Sequence, residues 1–268
     1  MHDTIDLNVD CGESFGAWRM GNDETVLPLV SSANIACGFH AGDPQVMART
    51  CELARRHGIS VGAHPGLPDL QGFGRRPMVI SDSDIETLVT YQIGALQAIA
   101  ARAKTRVAHV KVHGALYNIA EGDSVLASAI ARAIKAVDAT LIWIVGAGSA
   151  LIAAGEEAGL RIAVEGFPDR AYTDDGRLMS RHLPGAVIRD PDLAAEQAVR
   201  MAVAGEIRTE NGHILKRQFQ TLCIHGDEPT AVAVAGAVRM ALSSARVRII
   251  ALPEMLEYAP QERQAAYR

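Results

Sequence analysis

Short apolar runs alternate with alanine-rich stretches of helical period along most of this chain. Runs at 5–10, 33–38, 60–64, 109–113, 141–145, 162–166, 222–225 and 247–252 predict strands. Stretches at 44–57, 82–103, 124–137, 149–158, 192–204 and 230–244 predict helices. Their ends carry the expected punctuation. Asp43-Pro44, Ser81 followed by Asp84, and Asp190-Pro191 read as N-caps with a proline or an acidic first turn. Gly58 and Gly159 stand where a left-handed residue ends a helix.

Strands that alternate with helices pair in parallel, because each helix carries the chain back over the sheet. Two stretches break the rhythm. Residues 65–77 are rich in Gly and Pro with no period, and 171–188 form a second long link, while 206–217 read as a hairpin about Asn211-Gly212. Long links in compact domains are often functional covers. No low-complexity linker and no repeat divides the sequence, so the expectation is one domain over residues 1–268.

Composition narrows the picture. A chain of 268 residues suits one α/β barrel, which typically takes about 250. Hydrophobic residues make up 49% and aromatics only 4%, so the core must be aliphatic. The formal charge of -5 speaks against a nucleic-acid partner, which needs a basic face. Cys11, Cys37, Cys51 and Cys223 lack CxxC spacing, which predicts reduced thiols rather than disulfides or a structural zinc site. Residues 1–6 lack the pattern of a signal peptide, and the apolar run at 141–148 is too short to span a bilayer. A cytoplasmic protein with no membrane partner is expected.

The chemistry gathers at strand ends. Asp6, Asn8 and Asp10 alternate along the first strand and share one face, with Glu13 in the turn beyond. Asn34 lies in the second, which leads to His40 and Asp43. His64 closes the third, with Asp69 close behind; Lys111 and His113 share a face of the fourth; Glu165 ends the sixth, before Asp169 and Arg170. His225 and Asp227 end a later one. Buried parallel strands should read as continuous Val, Ile and Leu. Any one of these polar residues alone could simply satisfy a barrel-end hydrogen bond. Six strands behaving alike point to a site, since catalytic groups collect at the C-terminal ends of barrel strands.

Other readings are weaker. His40, His64, His113 and His225 with Asp10 or Glu13 have the chemistry of a divalent-metal site, but no HxxxH or HExxH spacing supports it and no metal is expected. Gly146-Ala147-Gly148 is a tight turn rather than a dinucleotide fingerprint, and there is no P-loop. Gly72-Phe73-Gly74-Arg75-Arg76 is either a phosphate contact or a solvated turn. His2, His57, His182 and His213 read as surface residues.

Several motifs occur in an unusual fixed order: Asp6-Leu7-Asn8-Val9-Asp10-Cys11-Gly12-Glu13; Ser32-Ala33-Asn34-Ile35-Ala36-Cys37-Gly38-Phe39-His40-Ala41-Gly42-Asp43; Gly62-Ala63-His64-Pro65; Tyr91-Gln92-Ile93-Gly94-Ala95-Leu96; His109-Val110-Lys111-Val112-His113-Gly114-Ala115-Leu116-Tyr117-Asn118; Glu165-Gly166-Phe167-Pro168-Asp169-Arg170; and His225-Gly226-Asp227. In these the chain closely resembles the LamB/YcsF family of 5-oxoprolinase A subunits. It departs from the family pattern at Val112, where Pro is usual, and at Pro168, where Ala is common.

The resemblance implies a distorted (β/α) TIM-like barrel of the glycoside hydrolase/deacetylase type. It implies cleavage of 5-oxo-L-proline to L-glutamate with ATP hydrolysis, in a complex with two further subunits. ATP would serve as co-substrate, with Mg and shared with those subunits, and homo-oligomerisation stays open. Asp10 or Glu13 would be the base, His64 or His113 the acid, and Lys111 the partner of the substrate carboxylate or the oxyanion. Asn8, Asn34, His40, Asp43, Tyr117, Asn118, Glu165, Arg170, His225 and Asp227 would line the substrate. Two rivals stand beside this: a metal-dependent deacetylase or amidohydrolase without ATP, and a non-catalytic small-acid-binding subunit.

Overall fold

The computed structural model describes residues 4–257, so the reading of His2 lies outside the described residues. In chain order the strands are β1 (Thr4–Cys11), β2 (Ser32–Ala36), β3 (Ser60–His64), β4 (Val107–Val110), β5 (Ile142–Gly146), β6 (Arg161–Gly166), β7 (Glu206–Arg208), β8 (Ile214–Lys216), β9 (Thr221–His225) and β10 (Arg248–Ile249). The helices are α1 (Asp23–Val26), α2 (Pro44–His57), α3 (Asp82–Arg102), α4 (Gly114–Ala120), α5 (Ser124–Val137), α6 (Ala150–Ala158), α7 (Pro191–Val199), α8 (Ala231–Ser244) and α9 (Leu252–Glu257).

β1 to β6 pair in parallel in sequence order, β9 follows β6, and β9 pairs again with β1. The sheet therefore closes into a seven-stranded α/β barrel, as the alternation of elements predicted. Ile5, Leu7 and Val9 join the main apolar core between sheet and helices. Asp6, Asn8 and Asp10 alternate with them and turn into the lumen, as the period of two requires.

The helix signals perform as read. Asp43 accepts from the backbone N–H groups of Gln45 (2.8 Å) and Val46 (2.9 Å), Ser81 caps α3, and Asp190 caps α7. Gly58 and Gly159 both close their helices with φ near +70°. The hairpin forms as β7 and β8, antiparallel, with Gly212 in its turn.

Four boundaries are corrected. The second strand stops at Ala36, because the Gly38 N–H turns to the carbonyl of Ala41 at 2.8 Å. The fourth covers Val107–Val110, and the chain beyond it stays extended before entering the unpredicted α4. There the Lys111 N–H donates to Ala63 O (3.0 Å) and the His113 N–H to Pro65 O (2.8 Å), so both side chains keep the inward phase of the strand. The helix expected to reach 204 ends at Val199 and passes into a π-helical turn, Arg200–Ala204. Lastly, 247–252 is no barrel strand. β9 meets β1 along a register from Asp6–Thr221 to Asp10–His225, which leaves no slot, and only Arg248 and Ile249 pair at the start of β1.

After β10 the chain folds under the barrel. Leu252, at the head of α9, packs with Ile142, Ile144 and Ala163, joined by Met255 and Leu256. These side chains stopper the N-terminal end of the lumen. All four cysteines are buried and free. Among the described residues no helix is long and apolar enough to cross a membrane.

Asp6 sits just above this stopper. Its carboxylate accepts from Ser31 Oγ (2.8 Å), Ser32 Oγ (2.6 Å), Thr221 and the Leu252 backbone. Burial outweighs these bonds and pushes the carboxyl up from 3.8 to about 6. The native state therefore holds this proton through an interval in which the unfolded chain has lost it. The resulting stability is fully present below pH 3.8, is lost as pH rises through 6, and amounts to about 3 kcal/mol. Asp6→Asn should flatten this dependence. Melting temperatures recorded from pH 4 to 7.5 would fall less with rising pH in the variant; identical curves would show that Asp6 is not the titrating group.

Candidate active site

The polar groups stack in the lumen in layers. Above Asp6 lie amides. Asn8 donates to Thr221 Oγ1 (2.6 Å), and the Asn34 amide nitrogen donates to Asn8 Oδ1 (2.7 Å) and Asp10 Oδ1 (2.8 Å). His109 Nε2 stands 3.0 Å from the remaining acceptor, Asn34 Oδ1, which makes Nε2 the protonated nitrogen of a neutral ring. Burial pushes His109 down to about 3. The ring fits only because residue 62 is glycine: a Cβ there would collide with His109 Nε2.

Lys111 occupies the next layer. Its Nζ lies 3.0 Å from Asp10 Oδ1, 3.1 Å from Glu165 Oε2 and 2.8 Å from Cys223 Sγ, and 5.1 Å from the centroid of the Phe167 ring. Its ammonium donates hydrogen bonds to Asp10 and Cys223 and forms an ion pair with Glu165. Burial favours the neutral amine, but the Asp10 and Glu165 carboxylates and the hydrogen bond to Cys223 outweigh it and hold Lys111 well above its ordinary value. Burial likewise opposes the charge on Asp10, yet His64 and Lys111 keep that carboxyl well below the usual range. Asp10 Oδ2 is left facing the mouth, 3.5 Å from His64 Nε2. Glu165, beside the Tyr117 hydroxyl, is raised by burial despite Lys111, and burial keeps Cys223 a thiol.

Glu13, His40, His64 and His113 form the mouth, all buried. His40 and His113 stack at 3.7 Å with planes 5° apart, and His64 meets His113 edge-on. His64 Nδ1 lies 2.7 Å from Lys111 O, and His113 Nε2 lies 2.8 Å from Phe73 O. A carbonyl only accepts, so both of these nitrogens carry hydrogens. Burial, then the neighbouring imidazoles, lower His40 and His113 well below the usual value. Burial, then Asp227 and Asp10, raise Glu13.

The Gly/Pro-rich excursion covers this mouth. Gly74 (φ +62°) presses so close that a Cβ would lie 2.7 Å from His40 Cβ. Its carbonyl accepts from the Ala115 N–H at 2.9 Å. Arg76 pairs with Asp69, and Arg75 with Asp227 at 2.7 Å while resting on the Phe73 ring.

The structure thus brings Asn8, Asp10, Glu13, Asn34, His40, His64, Lys111, His113, Tyr117 and Glu165 into one lumen and mouth, with Asp227 at the rim. His225 stands beside them, its ring on Phe167 and its Nδ1 held by Asp169 at 2.9 Å. Three residues expected to line the substrate stand apart from this cluster. Asp43 spends one oxygen on the α2 cap and the other on the Gly16 N–H (2.7 Å); Asn118 is exposed on α4; Arg170 donates to Ala186 O (3.1 Å) and Met179 O (2.5 Å), pinning the 171–188 link. His109, Asp169, Phe167 and Cys223 belong to the site and were not assigned roles from sequence. Cys223 was legible: Thr221, Cys223 and His225 alternate on β9, so all three share the inward face. His57, His182 and His213 are exposed, as expected.

A parallel α/β barrel with paired ionisable groups at the C-terminal ends of its strands defines a TIM-like barrel with an enzyme-type site. The LamB/YcsF family model matches residues 5–257, and the chain belongs to that family. The 5-oxoprolinase A subunit from Nitrobacter hamburgensis is 57% identical over 89% of this chain and 94% of that protein. Its counterpart from Methylococcus capsulatus is 54% identical over 93% and 96%. The crystal structure of a lactam utilization protein from Thermus thermophilus superposes with a TM-score of 0.89 at 46% identity, covering 93% of this chain and all of that one. The peptidoglycan deacetylase PdaC from Bacillus subtilis shares the fold alone (TM-score 0.50, 12% identity, 98% of this chain and 94% of that one).

Removing the ammonium strands two buried carboxylates. Lys111→Met should cost on the order of 4 kcal/mol in unfolding free energy, and Glu165→Gln added to it should recover part of the loss. Urea denaturation measures both. A single variant within about 0.5 kcal/mol of the parent would show that the pair carries no net charge interaction.

Proposed function

We propose that this chain is the A subunit of an ATP-dependent 5-oxoprolinase, opening 5-oxo-L-proline to L-glutamate alongside two further subunits. The reading rests on the names of its close relatives and on one observation of its own. An ionised carboxylate, Asp10, is fixed by a buried ammonium at the floor of a mouth lined by imidazoles.

Opening a lactam requires water to add to the ring carbonyl carbon, the C–N bond to break, and the ring nitrogen to gain a proton. An amide is a poor electrophile, so ATP phosphorylates the lactam oxygen and leaves as ADP; ring opening by the first water then gives an acyl phosphate, which a second water hydrolyses to glutamate and phosphate. Asp10 fits the proton-carrying role: it is ionised, and its Oδ2 faces the mouth 3.5 Å from His64 Nε2. It takes the proton of the attacking water and returns it to the ring nitrogen, one carboxylate serving both halves. Lys111 acts through Asp10 rather than on substrate, because its buried ammonium is held among Asp10, Glu165 and Cys223. His64 and His113 do not serve as acids in the neutral state, since their N–H groups are committed to backbone carbonyls. Arg75, with a side chain 36% exposed and paired to Asp227, is the rim cation suited to the substrate carboxylate.

Co-expression with its partner subunits, followed by assay of glutamate release from 5-oxoproline with and without ATP, tests the proposal. Release should require ATP. Asp10→Asn should lower turnover by on the order of a hundredfold or more in the assembled enzyme. An associated, folded complex that releases no glutamate would overturn the assignment.

A further inference from the structure

The hydrogens at the mouth do not satisfy every nitrogen there. His64 Nδ1 and His113 Nε2 carry the hydrogens that face Lys111 O and Phe73 O. In neutral rings His64 Nε2 and His113 Nδ1 are then bare lone pairs, and they face each other at 2.9 Å. Two lone pairs at that distance need a positive centre beside them.

His40 adds a second, independent anomaly. It is 1% exposed, and neither ring nitrogen has a hydrogen-bond partner. Buried polar atoms of this kind call for an explanation. Its Nε2 lies 3.9 Å from Glu13 Oε1, and His113 Nδ1 lies 3.9 Å from the same oxygen. That is too long for a hydrogen bond. It suits two donors of one metal ion, whose bonds of about 2.0–2.2 Å set neighbouring donors roughly 3–4 Å apart.

We propose that Glu13, His40, His64 and His113 hold one divalent cation of the zinc class. Their donor atoms lie within 4.8 Å of one another, and the His40 ring turns out of its parallel stack on His113 to bring both in-plane lone pairs onto one ion. Three neutral imidazoles and a carboxylate are the donor set such an ion prefers. The outer N–H groups of His64 and His113 are anchored on backbone carbonyls, which is how ligating histidines are commonly held. The other members of the metal set considered from sequence drop out. His225 is held by Asp169, and Asp10, bound to Lys111 and Asn34 through Oδ1, lies outside the group of four whose donor atoms cluster. When bound, such an ion supplies Lewis-acid polarisation of a carbonyl or of water. The bearing of the site on lactam opening rests on the function proposed above; the binding itself does not.

The test uses the full chain, stripped with a chelator and titrated with Zn²⁺ by calorimetry, with anomalous diffraction from crystals grown with the metal. The expected result is one tightly bound ion per chain, with anomalous density among these four side chains. His40→Ala and Glu13→Gln should each weaken binding by at least about tenfold, with far-ultraviolet circular dichroism confirming that both variants fold. His57→Ala, at an exposed site, should leave binding unchanged. Absence of a stoichiometric site, or binding insensitive to both mouth variants, would overturn the proposal and leave a proton shared between His64 and His113. Because none of these readouts involves turnover, an inactive complex that still binds the metal counts against the lactam-opening reading alone.

Discussion

The charge on Lys111 is the constraint around which this barrel is built. A closed sheet normally fills its lumen with branched aliphatic side chains. Here an ammonium crosses it instead, and such a charge is tolerable only when paired and hydrogen-bonded on every side. Asp10, Glu165 and Cys223 provide that surround from three other strands. The demand propagates. Asp10 needs Asn34, Asn34 needs Asn8 and His109, Asn8 needs Thr221, and Thr221 leads to Asp6. Each layer is polar because the one above it is. The register of β9 on β1 is bound to this chain of partners, since Thr221 and His225 flank Cys223 at the Asp6 and Asp10 levels.

That dependence explains what was readable in the amino-acid sequence. Polar residues two apart on a strand inside an aliphatic barrel can only face the lumen, so Asp6, Asn8 and Asp10, and likewise Lys111 and His113, declared the site from their spacing alone. Helix caps were equally plain, because they depend on neighbours within four residues. What failed was of another kind. Asp43 lies in a motif beside the site, yet sequence does not separate a carboxylate that caps a helix from one that faces a ligand. Arg170 follows Glu165 in the same way, but its guanidinium is consumed by a link whose path sequence does not specify. The surround of Lys111 was not legible either, because its partners come from three separate strands. The eighth strand was misplaced because closure is decided by the fit of β9 to β1, a non-local event.

The cover over the mouth shows a related economy. Phe73 and Gly74 contribute backbone carbonyls rather than side-chain chemistry: one fixes the tautomer of His113, the other anchors the start of α4. The segment first considered for phosphate binding is therefore already engaged with the histidines beneath it. Any movement of that loop alters the imidazole it holds.

The stopper made by Leu252 and its neighbours has a consequence for traffic. With the floor sealed, Lys111 can be approached only from the side of Glu13, His40 and His113, where the stacked and buried rings must part before anything reaches it. The Arg75–Asp227 pair and the Phe73–Gly74 cover lie over that same side, so one end of the barrel is closed by packing and the other by side chains and a loop.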